Sequence, residues 1–280
     1  MFNVRINTIL LVTSVFLGTI ISGCGSSESE EAENSPKNLV ARIDTLLNEG
    51  QYNMALELID TLNIKYPGEL ELRKTTLLSR ARAMEGLIRD SIPMVDSLMT
   101  STAIEKDSLS NFFTQISVKG LEPYYVDKNI KNTNITGNNG VLPRLEGTDN
   151  HWTLTVSLPK GKNLTALQIV LNGDTVNTVI NGADARTVTG STHSMITLAG
   201  DEVQPIANCF NGKATGNIDL IAVCSNGNVK LRLSPAMQNA IWRTCRLSYI
   251  TEQNRLARVK RELLERKLIV AQNQVANYQK

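Results

Sequence analysis

"LQIVLNGDTVNTVI", residues 167–180, decides what the middle of this chain folds into. Two runs rich in β-branched residues flank Asn172-Gly173. Asn-Gly supplies the positive φ angles that a tight hairpin needs, so the stretch reads as strand, turn, strand. "IDLIAVCSNGNVKLRL", residues 218–233, repeats the device around Asn226-Gly227. "HWTLTVSLP", residues 151–159, alternates, with Trp152, Leu154, Val156 and Leu158 on one face. Strands recurring about every 8 to 12 residues predict an antiparallel sandwich or small barrel, here over residues 119–235.

On both sides of this region the period changes from two to three-and-four. Leu39, Ile43, Leu46 and Leu47 mark a helix that Gly50 ends, and Ala55, Ile59 and Leu62 mark a second, closed by Pro67. From Gly68 to Ile92 the stripe is Leu78, Ala81, Met84, Ile88 and Ile92, and Pro93 is expected to kink or stop it. Met94 to Ile116 reads as helix again, anchored by Leu98, Leu109, Phe112 and Phe113. Near the C-terminus Leu256, Val259, Leu263, Leu264, Leu268, Ala271 and Val275 form a stripe that predicts a long helix over 236–280. Its expected partner is the helix over Gly68–Ile92, in an antiparallel pair. With Leu263 in that interface, Leu263→Asp is expected to cost several kcal/mol. The fold class is therefore α+β: a helical hairpin and long helices over 37–118, a central β-domain, and a C-terminal helix packing back on the N-terminal helices.

"LLNEGQYNMALELIDTLNIKYP", residues 46–67, resembles one tetratricopeptide unit. Gly50 and Tyr52 stand at its turn, Ala55 where the helices approach, and Pro67 at its exit. A solenoid needs about three repeats, so a single copy implies a lone hairpin.

The N-terminal stretch has the parts of an export signal over 1–23: Arg5, an apolar run from Ile6 to Ile21, then Ser22 and Gly23 before Cys24. "ISGC", residues 21–24, resembles the bacterial lipoprotein signal. That resemblance implies a diacylglycerol on the Cys24 thiol, cleavage before it, and stable anchoring by several acyl chains. Gly25, where aspartate would favour the inner membrane, resembles an outer-membrane passenger. Glu28, Glu30, Glu31 and Glu33 make residues 24–36 an acidic tether, similar to the export tag of Bacteroidetes surface lipoproteins. The expected address is the outer membrane, lipid-anchored, at its periplasmic face or on the cell surface.

About 257 residues remain after the signal, enough for one large or two small domains. A formal net charge of +2 gives no reason to expect a nucleic-acid partner. The nine Lys and Arg against three Glu from Ile241 to Lys280 read as a solvated basic helix face. His151 and His193 lack metal-ligand spacing, and no phosphate-binding loop, dinucleotide fingerprint or G-x-S-x-G elbow occurs; "NGKATGN", residues 211–217, lacks the spacing that cradles phosphate. No cofactor, metal or enzymatic activity is expected. Cys209, Cys224 and Cys245 read as small buried hydrophobes, with a Cys209–Cys224 cross-strand disulfide as the alternative.

Six of the eleven aspartates begin an Asp-(Ser/Thr)-aliphatic tripeptide, whose hydroxyl residues are Thr45, Thr61, Ser91, Ser97, Ser108 and Thr175. Composition alone would give roughly one. The set resembles the O-glycosylation acceptor motif of exported Bacteroidetes proteins, which implies glycans at these hydroxyls. Amphipathic helix patterning is the competing explanation. Functionally, a non-enzymatic envelope scaffold or adaptor is expected first. The alternative is a module whose β-domain binds a glycan or cell-wall fragment. A buried Trp152 favours the former and an open aromatic groove the latter.

Overall fold

The computed structural model describes residues 35–120, 122–130, 139–171, 173–180, 182–210, 218–231 and 233–279. The signal, Cys24, nearly all of the tether, Asn172 and the "NGKATGN" stretch lie outside them. The chain divides into two compact units, one reaching Ala83 and including the last residues from Tyr278, the other Met84–Asn277.

The first unit holds the hairpin. Helix α1 (Pro36–Asn48) starts on Ser35, whose Oγ accepts from the Asn38 amide, with Pro36 in the first turn where its missing N–H costs nothing. Gly50 turns the chain at φ +73°, a conformation that strains residues with a Cβ. Helix α2 (Tyr52–Lys65) then packs Ala55 and Ile59 on Ile43 and Leu46. The side chain of Ala55 is wholly buried, so the two helices approach closely there. Helix α3 (Leu70–Ser110) begins in this unit. Arg73 Nε donates to Asn63 Oδ1 at 3.0 Å, and Arg80 pairs with Asp60.

The second unit is a two-sheet sandwich, each sheet open at its edges. One sheet has the order β1-β2-β3-β4-β8-β7, from Phe113–Ile116, Tyr124–Asp127, Gly140–Glu146, His151–Pro159, His193–Ala199 and Val188–Thr189. The other has the order β10-β9-β5-β6, from Val229–Leu231, Ile218–Cys224, Leu164–Leu171 and Asp174–Val179. All the pairings are antiparallel. In the β5–β6 hairpin Leu171 faces Asp174, and Gly173 takes φ +95° as the turn requires. Leu154 and Val156 of β4, Leu198 of β8, Leu167 and Ile169 of β5 and Leu220 of β9 meet in one core. The short helix α4 (Ala183–Arg186) precedes β7, and helix α5 (Gln204–Phe210) adds Ile206 and Phe210 to the core.

Helix α6 (Pro235–Tyr278) closes the unit. Its first turns enter the sandwich core through Ile241, Cys245 and Leu247. Arg243 pairs at 2.7 Å with Asp127, a fully buried carboxylate that also accepts from the Asn129 backbone amide at 2.8 Å. Further on, α6 runs antiparallel to α3. Arg246 bonds Glu105, Asn254 Nδ2 donates to Thr102 Oγ1 at 2.8 Å and to the Met99 carbonyl at 2.9 Å, and Arg261 pairs with Asp96.

Two expectations need correction, the C-terminal bound of α3 and the inner face of α6. At Pro93, where the sequence predicts a kink or a stop, α3 does not stop. The ~3 kcal/mol that an interior proline costs is offset by burial of Ile88 and Val95 on either side. The helix ends at Ser110 rather than Ile116. Phe113 begins strand β1, because pairing with Asp127–Tyr124 satisfies its backbone and buries its ring. As expected, α6 packs on α3: Ala271 and Val270 share a groove with Met84 and Ile88, within the expected stretch, and the hydrogen bonds of the pair extend beyond Ile92, over Asp96–Glu105. Lastly, Leu256, Val259 and Leu263 are exposed. The stripe turned toward α3 is Asn254, Ala257, Arg261, Leu264, Leu268, Ala271 and Val275, buried or half-buried in heptad spacing.

Candidate functional site

A cavity of about 480 Å³ opens in the second unit beside the sandwich core. Three segments build it. The first is the β3–β4 turn, where Asn150 holds φ +53°, a conformation asparagine tolerates better than most residues. Asn150 Nδ2 donates to Thr251 Oγ1 of α6 at 3.3 Å, fixing Asp149, His151 and Trp152 against that helix. The second is the stretch from Ala199 to Phe210. Gly200 turns it at φ +58°, and Asp201, Gln204 and Asn208 face the cavity, with Gln204 Nε2 donating to Asn208 Oδ1 at 3.1 Å. The third is one face of α6, with Trp242, Cys245, Arg246, Tyr249 and Glu252 at three-and-four spacing.

Both tryptophans of the chain line this one cavity. Trp152 is 9% exposed, Trp242 half-buried and Tyr249 exposed, so the aromatic wall runs from the core outward. Two charged groups are already engaged. Arg246 bonds Glu105 and lies over the Tyr249 ring at 5.6 Å. Glu252 is bonded by Arg255 at 2.7 Å, and that bond, with smaller charge contributions from Arg255 and His151, holds its carboxyl below the usual carboxylate range. It therefore stays ionised near neutrality and accepts hydrogen bonds, the opposite of what a proton-donating acid requires. Among the described residues neither Asp149 nor Asp201 forms an ion pair within 4.0 Å. The lining thus combines aromatic faces, amides and net negative charge.

Of the residues singled out from sequence, Trp152 and His151 line the cavity, and His193 instead opens strand β8 beside Thr192. Cys209 lies on α5, Cys224 in β9 and Cys245 on α6, all three free, so the cross-strand disulfide does not form. Burial raises all three thiols, Cys245 most. The six Asp-(Ser/Thr)-aliphatic hydroxyls are scattered. Thr45, Ser97, Ser108 and Thr175 are exposed, while Thr61 and Ser91 are half-buried and donate to the carbonyls of Glu57 and Leu87. Three of the six aspartates have partners: Asp44 accepts from Ser79, Asp60 pairs with Arg80 and Asp96 with Arg261. Sequence reading missed Asp149, Asp201, Asn208, Trp242, Tyr249 and Glu252. The available signal was Trp242, Tyr249 and Glu252 at intervals of seven and three on one helix face. Nothing in the sequence joined that face to the other two segments.

Comparison with known proteins finds no match to the chain among protein-family models, curated proteins or solved structures.

Proposed function

We propose that this chain is a lipid-anchored, non-enzymatic protein of the outer membrane whose second unit binds a neutral or amine-bearing saccharide, such as a cell-wall fragment. The observation that carries the reading is the cavity's wall of Trp152, Trp242 and Tyr249 beside Asp149, Asp201 and Asn208. The apolar face of a sugar ring packs on aromatic rings, and its hydroxyls exchange hydrogen bonds with carboxylates and amides. The unpaired carboxylates favour an amine and disfavour uronic acids and phosphosugars. Buried Trp152 taken alone favours the scaffold reading; with Trp242 and Tyr249 beside it in one cavity, the binding module becomes the better supported. Anchoring through Cys24 and glycans on Thr45, Thr61, Ser91, Ser97, Ser108 and Thr175 belong to the same proposal and rest on the sequence.

Tryptophan emission tests it directly, since both tryptophans face the site. Titration with chito-oligosaccharides, partly deacetylated chito-oligosaccharides and soluble muropeptides should shift the emission saturably with at least one of them. Trp242→Ala should weaken that binding about tenfold or more, and oligogalacturonate should not compete. Absence of saturable binding to all three would sink the proposal. Separately, intact mass of the native protein should exceed polypeptide plus lipid by discrete glycan steps; a mass equal to that sum would reduce the tripeptides to helix patterning.

A further inference from the structure

The α3–α6 pair has two antiparallel helices where a third would fit. Its seam is built from Ile88, Val95 and Thr102 on α3 and Asn254, Ala257, Leu264 and Ala271 on α6, all buried or half-buried. On one side of that seam each helix carries a second stripe. From α6 come Leu256, Leu263 and Val270, seven residues apart and spanning about 20 Å. From α3 come Met84, Met94 and Leu98. All six are exposed, Leu263 by 49% and Met94 by 74%. That the two stripes share a side follows from two observations. Arg246 and Glu105, at matching flanking positions of the heptads, bond to each other. Met84 and Ile88 also line one groove with Lys267, Val270, Ala271 and Gln274, of about 380 Å³. The small side chain of Ala271 lies in the wall of this groove.

Charge on this side is predominantly positive. Lys260 and Lys267 flank the Leu256–Leu263–Val270 stripe, and Arg266 lies at its edge. Among the described residues none of the three is in an ion pair within 4.0 Å. Most of the nearby acids are engaged: Glu85 pairs with Arg89, Glu105 with Arg246, and Asp96 and Glu265 both with Arg261, which leaves the exposed Asp90, one turn before Met94, against three cations. We infer that this groove docks an amphipathic α-helix of another protein, one with apolar residues at heptad spacing flanked by Asp or Glu, and completes with it a three-helix bundle. A second copy of this chain would bring Lys260 and Lys267 against a surface of like charge. The chain's own acidic tether supplies Glu28 to Glu33 but no apolar residues at the required spacing.

The probe is a synthetic three-heptad peptide with Leu at the two seam positions and Glu at the flanking ones, beside a twin carrying Lys in place of Glu. Binding to the full chain is read by fluorescence anisotropy at low and raised salt. The acidic peptide should bind, and more weakly at raised salt. Leu256→Ser/Leu263→Ser should lose about tenfold in affinity, and so should Lys260→Glu/Lys267→Glu. The lysine variant should in turn prefer the Lys-bearing twin, a reversal that a misfolded protein cannot produce. Equal binding of the two peptides to the parent, or affinity unchanged in both variants, overturns the inference. It is also overturned if sedimentation shows a dimer that the leucine variant dissolves, or if phosphatidylethanolamine–phosphatidylglycerol vesicles, rather than the acidic peptide, show the same dependence on both variants.

Discussion

In the sandwich Leu154, Leu167, Ile169, Leu198 and Leu220 are sealed from water, whereas on the α3–α6 pair Met94, Leu263 and Val270 stand open to it. Both regions belong to the second unit and both follow regular periods. The two sheets close their facing sides against each other, and the six-stranded sheet also covers Val126 and Leu142 on its other face. A pair of helices buries one seam each and leaves the rest of its circumference to solvent or a partner. Regular apolar spacing therefore identifies an element without saying which of its faces is inside.

The largest effect should come where the two regions join. Asp127 of the six-stranded sheet is fully buried and pairs with Arg243 of α6, whose guanidinium also lies over the Phe112 ring at 4.3 Å. Arg243→Ala leaves a buried carboxylate without its cation and should cost about 3–5 kcal/mol in a urea melt. The double variant Asp127→Asn/Arg243→Met should recover part of that loss. No recovery would mean that Arg243 acts through packing on Phe112 rather than through charge.

Next is the pin between the helices. Asn254 sits in the α6 seam and donates to Met99 and Thr102 of α3. A polar residue at one seam position fixes register while lowering stability. Asn254→Ala should cost about 1–2 kcal/mol. Asn254→Leu should cost less, yet broaden the register, read by spin-label distances between α3 and α6. A single sharp distance in the Leu variant would show that the Arg246–Glu105 and Arg261–Asp96 pairs suffice to align the helices.

The seam also shows what could and could not be read beforehand. Strand periods and the Asn-Gly turns located the sandwich, and Ala55 with Gly50 located the hairpin, because those signals are local. The inner stripe of α6 was legible from Leu264 on, as Leu264, Leu268, Ala271 and Val275, but not before. There it contains Asn254, Ala257 and Arg261, while the outer stripe contains Leu256, Val259 and Leu263, so hydrophobicity points to the wrong side. Only the partner explains the choice: Asn254 and Arg261 are paid for by Thr102 and Asp96, some 150 residues away in sequence or more. The cavity was hidden for a similar reason, since its lining comes from three separated segments.

A smaller effect separates the core from the surface by pH. Burial pushes the Cys245 thiol well above its ordinary value near 9. The unfolded chain ionises this thiol from about pH 9 upward while the folded chain keeps it neutral. Its contribution to stability is therefore full below pH 9 and is lost as pH rises toward the folded value. Between about pH 8 and 10 the parent should lose about 1–2 kcal/mol more than Cys245→Ala does. Parallel stability curves for the two proteins would place Cys245 in contact with water.

The smallest expected effect bears hardest on the contrast between the regions. Leu263 belongs to the apolar pattern of α6, yet half of its surface is exposed and it lies on the stripe beside the groove rather than in the seam. Exposed helix positions away from caps and pairs change stability by no more than about 0.5 kcal/mol when substituted. Asp lowers helix propensity by only a few tenths of a kcal/mol relative to Leu, and Lys260 and Lys267 lie within reach to offset part of that. Leu263→Asp should thus melt within about 0.5 kcal/mol of the parent, whereas Leu264→Asp, one residue on and half-buried in the seam, should cost several kcal/mol. Thermal denaturation of the two variants side by side decides it. If Leu263→Asp proves the more damaging, the face assigned to solvent is packed against something, and the division between sealed seam and open groove fails.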